Sequence, residues 1–262
     1  MGRKASNTTA RIVSLAHSAT SILCAIGAKR QLVGVTIWCQ EVAHVKGLPM
    51  VGDCWTGTPG EILALRPTLV IGSVPYKQET VAKLLDLPVM FLAMNPRSLA
   101  DVETDIQLIG RIAGRVSQGE KLIARMRREF DAIAKKARKA GRRPRVYCEA
   151  WPNPRISSPP WVAELVDIAG GEMVVPAGQR VTDKQVAEAR PDVIVLAWAA
   201  TGNRAKPSKA YDVAAWEDVP AVRERRVHVV RDELLNTPGP PLVEGARELF
   251  RILHSRSRRI AR

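Results

Sequence analysis

Six tryptophans, three tyrosines and four histidines are the side chains of this 262-residue chain best suited to recognising another molecule. His17, Trp38, Tyr76, Asn95, Trp151 and Trp198 each stand at or just beyond the end of an apolar run that reads as a β-strand, while Trp55 and Trp161 stand between such runs. Indole and phenol rings offer large flat apolar surfaces with a hydrogen-bonding tip, a combination that suits a bulky planar ligand. The same rings also fill cores, and for any one tryptophan the sequence does not separate the two uses. Their recurrence at strand ends favours binding, because ligands of open α/β sheets lie beyond the carboxyl ends of the strands. A neutral imidazole at His17 could coordinate cobalt or iron, or could hydrogen-bond the turn that follows its strand. Cys39 and Cys54 are weaker candidates for the same place.

Catalytic signatures are missing: there is no G-x-S-x-G elbow, H-E-x-x-H pair, P-loop or G-x-G-x-x-G turn. A binding protein is therefore expected in preference to an enzyme. The competing enzyme reading would need a titratable group near the ligand, such as His17, Glu149 or Glu233. Cys24, Cys39, Cys54 and Cys148 are widely spaced without a C-x-x-C pattern, which predicts reduced core thiols. The histidines (His17, His44, His228 and His254) are too irregularly spaced for a multi-histidine metal site, so no intrinsic cofactor is expected.

The elements that would position these residues follow from the apolar patterning. Arg11 to Ala16 reads as a strand, His17 to Thr20 as a turn and Ser21 to Gly27 as a helix closed by glycine. Strands at Leu32 to Trp38, Leu69 to Val74 and Pro88 to Met94 alternate with helices, one opening near Glu61. Such alternation implies a mainly parallel sheet. Ser98 is placed as the N-cap of a helix running to Gly114, and Ser117 with Glu120 has capping-box spacing. Leu122, Ile123, Met126, Phe130, Ile133, Ala134 and Ala137 then recur at helical spacing over roughly 20 residues, about 30 Å of helix. Beyond Gly141 the alternation resumes, with strands at Val146 to Ala150, Val193 to Trp198 and Val227 to Val230, a helix at Val162 to Ala169 and a closing helix at Pro241 to Leu253. The expected class is α/β: an N-terminal lobe over 9–116, a bridging helix over 117–140, a C-terminal lobe over 141–255 and a basic tail over 256–262, with a mainly parallel sheet in each lobe.

Net charge is +14, with much of the excess on the long helix and on Arg256, Arg258, Arg259 and Arg262. A helix that buries one stripe must expose the other, so a solvated face accounts for the helix. Weak, salt-sensitive contact with nucleic acid or anionic membrane through that face is the minority alternative, and specific nucleic-acid binding is not expected because no zinc-finger, RRM or basic-zipper pattern occurs. No apolar run reaches the roughly 18 residues of a spanning helix. Arg3 and Lys4 precede the apolar stretch Ile12 to Ala28 much as in a signal peptide, but strand, turn and helix fit that stretch better, so the chain as written reads as cytoplasmic.

Arg11 to Thr20 with Ile26 to Ala28, Val33 to Val35, Glu61 to Val70, Ala189 to Val195 and Trp216 to Val227 occur in an order that resembles the class III solute-binding proteins of ABC importers. Tyr147 to Trp151, Trp161 to Leu165 with Ala169 to Gly171, and Asn236 to Pro240 resemble the cobalamin-binding branch of that family. The resemblance implies two lobes joined by a long helix, a cobalamin or other corrinoid in the cleft between them, and haem or a ferric siderophore as the next choices. A monomer is expected. It adds Asn236 to the ligand-binding set of His17, Trp38, Cys39, Trp55, Tyr76, Asn95, Trp151, Trp161 and Trp198, with His17 near the metal. It also implies docking on an ABC permease through a glutamate on each lobe. Glu61 matches the first position, where it also completes a capping box with Thr58; at the second stands Lys184, and only neighbouring Asp183 could substitute. A cytoplasmic derivative of the family, or an enzyme or chaperone of tetrapyrrole metabolism on the same scaffold, would dispense with export and docking.

Overall fold

A computed structural model describes residues 10–201 and 204–255. The chain divides into two compact units. Residues 1–96 and 101–123 make up the first, and 97–100 with 124–262 the second.

In the first unit, β1 (Ile12–Ser14), β2 (Leu32–Val35), β3 (Leu69–Ser73) and β4 (Met90–Met94) form a parallel sheet of order β2-β1-β3-β4. Its connections carry α1 (His17–Ala25), α2 (Pro59–Ala64) and α3 (Gln78–Leu85), and α4 (Leu99–Ile112) follows β4. The middle strands β1 and β3 are buried throughout, as apolar runs covered on both faces must be. α1 opens at His17, where the sequence suggests a turn. Of the hydroxyls in that stretch, Thr20 Oγ1 donates to Ser14 Oγ at 2.9 Å, while Ser18 Oγ is buried without a partner among the described residues. β2 stops at Val35, and Trp38 belongs to a 3-10 turn, Ile37–Glu41, not to the strand. The expected capping box of Thr58 and Glu61 is present.

The division between units falls within α5 (Val116–Lys139), a 24-residue helix. It begins one residue before Ser117, so that serine is not its N-cap. Leu122, Ile123, Met126, Ile133 and Ala137 are buried, while Arg125, Arg128, Lys135, Lys136, Arg138 and Lys139 are exposed: the amphipathic pattern is realised as a solvated basic face. The basic tail lies outside the described residues.

In the second unit β5 (Arg145–Pro152), β6 (Arg155–Ser157), β7 (Glu172–Met173), β8 (Val193–Leu196) and β9 (Val227–Val229) form a sheet of order β6-β5-β8-β9, with β7 also pairing β5. All pairs are parallel except β5 with β6, a hairpin the sequence reading does not anticipate. The helices are α6 (Trp161–Ile168), α7 (Asp183–Ala189), α8 (Ser208–Tyr211), α9 (Pro220–Arg223), α10 (Asp232–Asn236) and α11 (Leu242–His254). Trp216 and Tyr147 fill the core, their rings meeting edge to face at 6.1 Å. No helix among the described residues is long and apolar enough to cross a membrane.

Candidate ligand-binding site

In the first unit the candidate residues gather on Asp53, which sequence reasoning missed. Asp53 sits in a loop that closes on itself between Gly52 and Gly57; a Cβ at Gly52 would lie 2.5 Å from the Gly57 nitrogen, so only glycine fits there. Its Oδ1 accepts from the Trp55 and Thr56 amides at 2.9 and 3.0 Å, an Asx turn, and from the Thr56 hydroxyl at 3.0 Å. Its Oδ2 accepts from the Trp38 indole at 3.2 Å. The Trp55 indole donates to the Pro75 carbonyl at 3.1 Å, and the Thr80 hydroxyl to the Trp55 carbonyl at 2.8 Å. Both rings are thus fixed in orientation yet remain 38% and 52% exposed. Tyr76 donates to the Met94 carbonyl at 2.8 Å, and its ring packs over Gly72, where a Cβ would meet it at 3.3 Å. Burial pushes its phenol up, so it remains a neutral donor.

His17, at the first turn of α1, lies close enough to Asp53 to feel its charge. Burial lowers the imidazole to about 4, and the Asp53 carboxylate only partly opposes that shift. A ring kept neutral at pH 7 is the form that ligates a metal. Asn95 is exposed just after β4. Cys39 belongs to the interior: its thiol is fully buried among the Thr20 and Thr36 hydroxyls, 3.1 and 3.3 Å away, and burial pushes it up. The other cysteines are also free thiols. No cluster of three potential metal-ligating side chains occurs among the described residues.

In the second unit the organising group is Glu149, on the same face of β5 as Tyr147 by the twofold period of a strand; an irregularity between Glu149 and Trp151 interrupts that alternation before Trp151. Only 1% exposed, it accepts from the Trp198 indole on Oε1 at 2.9 Å, and from the Tyr147 hydroxyl at 2.9 Å and the Arg155 guanidinium on Oε2. Arg155 in turn donates to Asp183 at 2.7 Å and stacks 4.2 Å over the Trp216 ring. A carboxylate this enclosed persists only with such partners. Trp151 is 40% exposed and donates to the Asn153 carbonyl at 2.9 Å. Trp161 is core instead of wall, buried with its indole donating to the Leu235 carbonyl at 2.8 Å. Asn236 is half-buried and donates to the Ala197 carbonyl at 2.8 Å.

The structure therefore brings His17, Trp38 and Trp55 together around Asp53, and Trp198 onto Glu149. Of the two carboxylates, sequence reasoning missed Asp53 and named Glu149 only for the enzyme alternative, although both carry a signal. Asp-x-Trp-Thr is an Asx-turn sequence, and a glutamate inside an apolar strand demands a donor. Glu149 and Glu233, the carboxylates of the enzyme alternative, are held in ion pairs with Arg155 and Arg231. Of the docking candidates, Glu61 Oε1 caps α2 through the Thr58 amide at 2.6 Å and also accepts from the Gly52 amide at 3.1 Å. Asp183 pairs with Arg155, and Lys184 with Glu188 at 3.7 Å.

Comparison with known proteins adds the wider frame. The chain is 28% identical over 252 residues to the uncharacterized ABC transporter substrate-binding lipoprotein YvrC of Bacillus subtilis, covering 91% of this chain and 78% of that protein. It is 25% identical over 241 residues to the vitamin B12-binding protein of Vibrio parahaemolyticus, covering 88% and 84%. Among solved structures, the periplasmic heme-binding protein RhuT from Roseiflexus sp. RS-1 superimposes with a TM-score of 0.79 at 25% identity over 94% of this chain and 98% of that one. The periplasmic vitamin B12-binding protein BtuF of Vibrio cholerae shares the fold with a TM-score of 0.74 at 21% identity over 94% and 97%. Relatives named as lipoprotein and periplasmic run against the cytoplasmic reading, and Ile12–Ala25 is strand and helix of the first unit, not a leader. The family model described as periplasmic binding protein matches residues 12–234, and the chain belongs to that family.

Proposed function

We propose that this chain is the solute-binding component of an ABC importer and that its solute is a bulky planar metal chelate of the corrinoid or haem class. Trp38, Trp55 and Tyr76 of the first unit and Trp151 and Trp198 of the second supply the aromatic contacts, with His17 beside the metal and Asn95 and Asn236 as polar contacts. The observation that carries the reading is a contradiction within single side chains. Trp38, Trp55 and Trp151 each have the indole N–H tied to a fixed acceptor, yet each leaves 38 to 52% of its surface in water. A ring held rigid and left exposed is preorganised for a flat partner, because its ordering cost is met before binding. Vitamin B12 and heme, named for the relatives and neighbours, are both such partners.

The relatives' names also support work outside the cytoplasm alongside a permease. Glu61 is the stronger docking carboxylate, since one oxygen serves both of its internal hydrogen bonds. Asp183 is already occupied by Arg155.

Titration with cobalamin, cobinamide, haem and ferric siderophores, followed by tryptophan fluorescence, tests the reading. Saturable quenching by one class is expected, with affinity falling about a hundredfold in Trp38→Ala/Trp55→Ala, as loss of two stacking contacts implies. Unchanged affinity in that variant would remove the first unit's aromatic cluster from the site.

A further inference from the structure

The second unit contains a cavity of about 300 Å3 lined by Glu149, Pro152, Arg155, Trp198, Lys209 and Ala210. That volume stands at the lower limit for small-ligand pockets, about 300 to 1,000 Å3, so the cavity accommodates a substituent and not a macrocycle. Its polar groups are unequally committed. Both oxygens of Glu149 are taken, by Trp198 on one side and by Tyr147 and Arg155 on the other. Arg155 spends Nε on Asp183 and Nη1 on Glu149, and among the described residues Nη2 has no acceptor. Lys209, on α8, has no carboxylate in ion-pair range among the described residues. The single charge of Arg155 is offset by the two carboxylates bonded to it, whereas the ammonium of Lys209 is not offset. The unspent polar capacity of the cavity is therefore all donor, and it carries a positive charge, while Pro152, Ala210 and the Trp198 ring make its sides apolar.

We infer, building on the function proposed above, that this cavity receives a short carboxylate-bearing arm of the bound chelate, with Lys209 Nζ and Arg155 Nη2 donating to the carboxylate. A cavity lined by apolar Pro152, Ala210 and Trp198 beside two cationic donors suits an alkyl chain ending in a carboxylate, and it leaves an amide or ester arm with one charge-assisted contact fewer. Chelates bearing acid arms should accordingly bind in preference to the same chelates with those arms esterified or amidated.

The test compares iron protoporphyrin with its dimethyl ester, and cobalamin with a monocarboxylic acid derivative, on the full chain and on Lys209→Gln, which alters an exposed side chain. The acid form of at least one pair is expected to bind about tenfold more tightly to the native protein, the difference one charge-assisted hydrogen bond supplies, and the ratio should approach one in Lys209→Gln. Lys135→Gln, on the exposed face of α5, should keep the native ratio and so control for bulk charge. The inference is overturned by acid and neutral forms binding within about twofold of each other, by a ratio that survives Lys209→Gln, or by an equal loss in Lys135→Gln. Saturable binding without the preference would sink the arm alone; no binding of any form would sink the chelate reading with it.

Discussion

Each unit ties one indole to a carboxylate, Trp38 to Asp53 and Trp198 to Glu149, but the two carboxylates operate in different solvents. Asp53 is half-buried in a loop, accepts four hydrogen bonds from its own neighbourhood and from Trp38, and needs no cation beside it. Glu149 is buried on a strand, bonded to the guanidinium of Arg155 and to two neutral donors. Water screens the first and shares its bonds; the second is enclosed in a medium where an unpaired charge costs several kcal/mol. The aromatic cluster of the first unit is consequently a local device that could be altered without harming the fold. The cluster of the second is continuous with the core, since Arg155 also covers Trp216 and Tyr147 also fills the sheet's interior.

The largest expected effect comes from breaking the buried carboxylate. Glu149→Ala leaves Arg155 with half its partners and the Tyr147 hydroxyl with none, and should lower the stability of the second unit by about 3 to 5 kcal/mol, read by urea unfolding. Simultaneous replacement of Glu149 and Arg155 by methionine should recover much of that loss, because it is the orphaned charge and not the missing pair that is expensive. A single mutant no weaker than the double would break the contrast between the units.

Asp53→Ala should cost only about 1 kcal/mol, typical of a half-exposed side chain bonded to backbone amides. Its larger effect should be on Trp38, whose indole loses its acceptor: fluorescence anisotropy should fall and chelate affinity should drop by more than the stability change explains. Equal losses of stability in Asp53→Ala and Glu149→Ala would mean that burial is not what distinguishes the two sites.

The pH dependence of His17 is confined to acidic solution. Burial holds the ring neutral down to about pH 4 in the folded protein, against an ordinary value of 6.5. Between those limits the unfolded chain binds the extra proton, so His17 makes the protein less stable as pH falls from 6.5 towards 4 and contributes no pH dependence above 6.5. His17→Gln should remove that part of the slope while leaving the neutral range unchanged. Thermal melting of both proteins at pH 7 and pH 5 checks this, and parallel losses would show that the acid slope arises elsewhere.

Much of the architecture was legible in the chain itself. Apolar runs of β1, β3 and β8, the long amphipathic stripe of α5 and the capping box before α2 all rest on local patterning, where period and turn chemistry decide the outcome. The ends of elements were less readable. Thr20 looks like a turn residue until packing sets its hydroxyl against Ser14 and Cys39, and Ser117 looks like a cap although α5 opens one residue earlier. The strand β6 escaped notice because three residues carry too little periodicity to register.

For the site, residue types in sequence determined that aromatic surface would be available at strand ends, and the order of motifs determined the family. Which rings stay in water was decided only by the tertiary structure. Trp161 and Trp151 are indistinguishable by type, yet one is sealed beneath the Leu235 carbonyl and the other left 40% exposed on β5. The partners that set this balance are remote along the chain: Trp198 and Glu149 are 49 residues apart, Trp38 and Asp53 15, and Arg155 and Asp183 28. A hydrogen bond between residues so separated leaves no period in the sequence, and it exists only where the sheets and loops bring its two ends together.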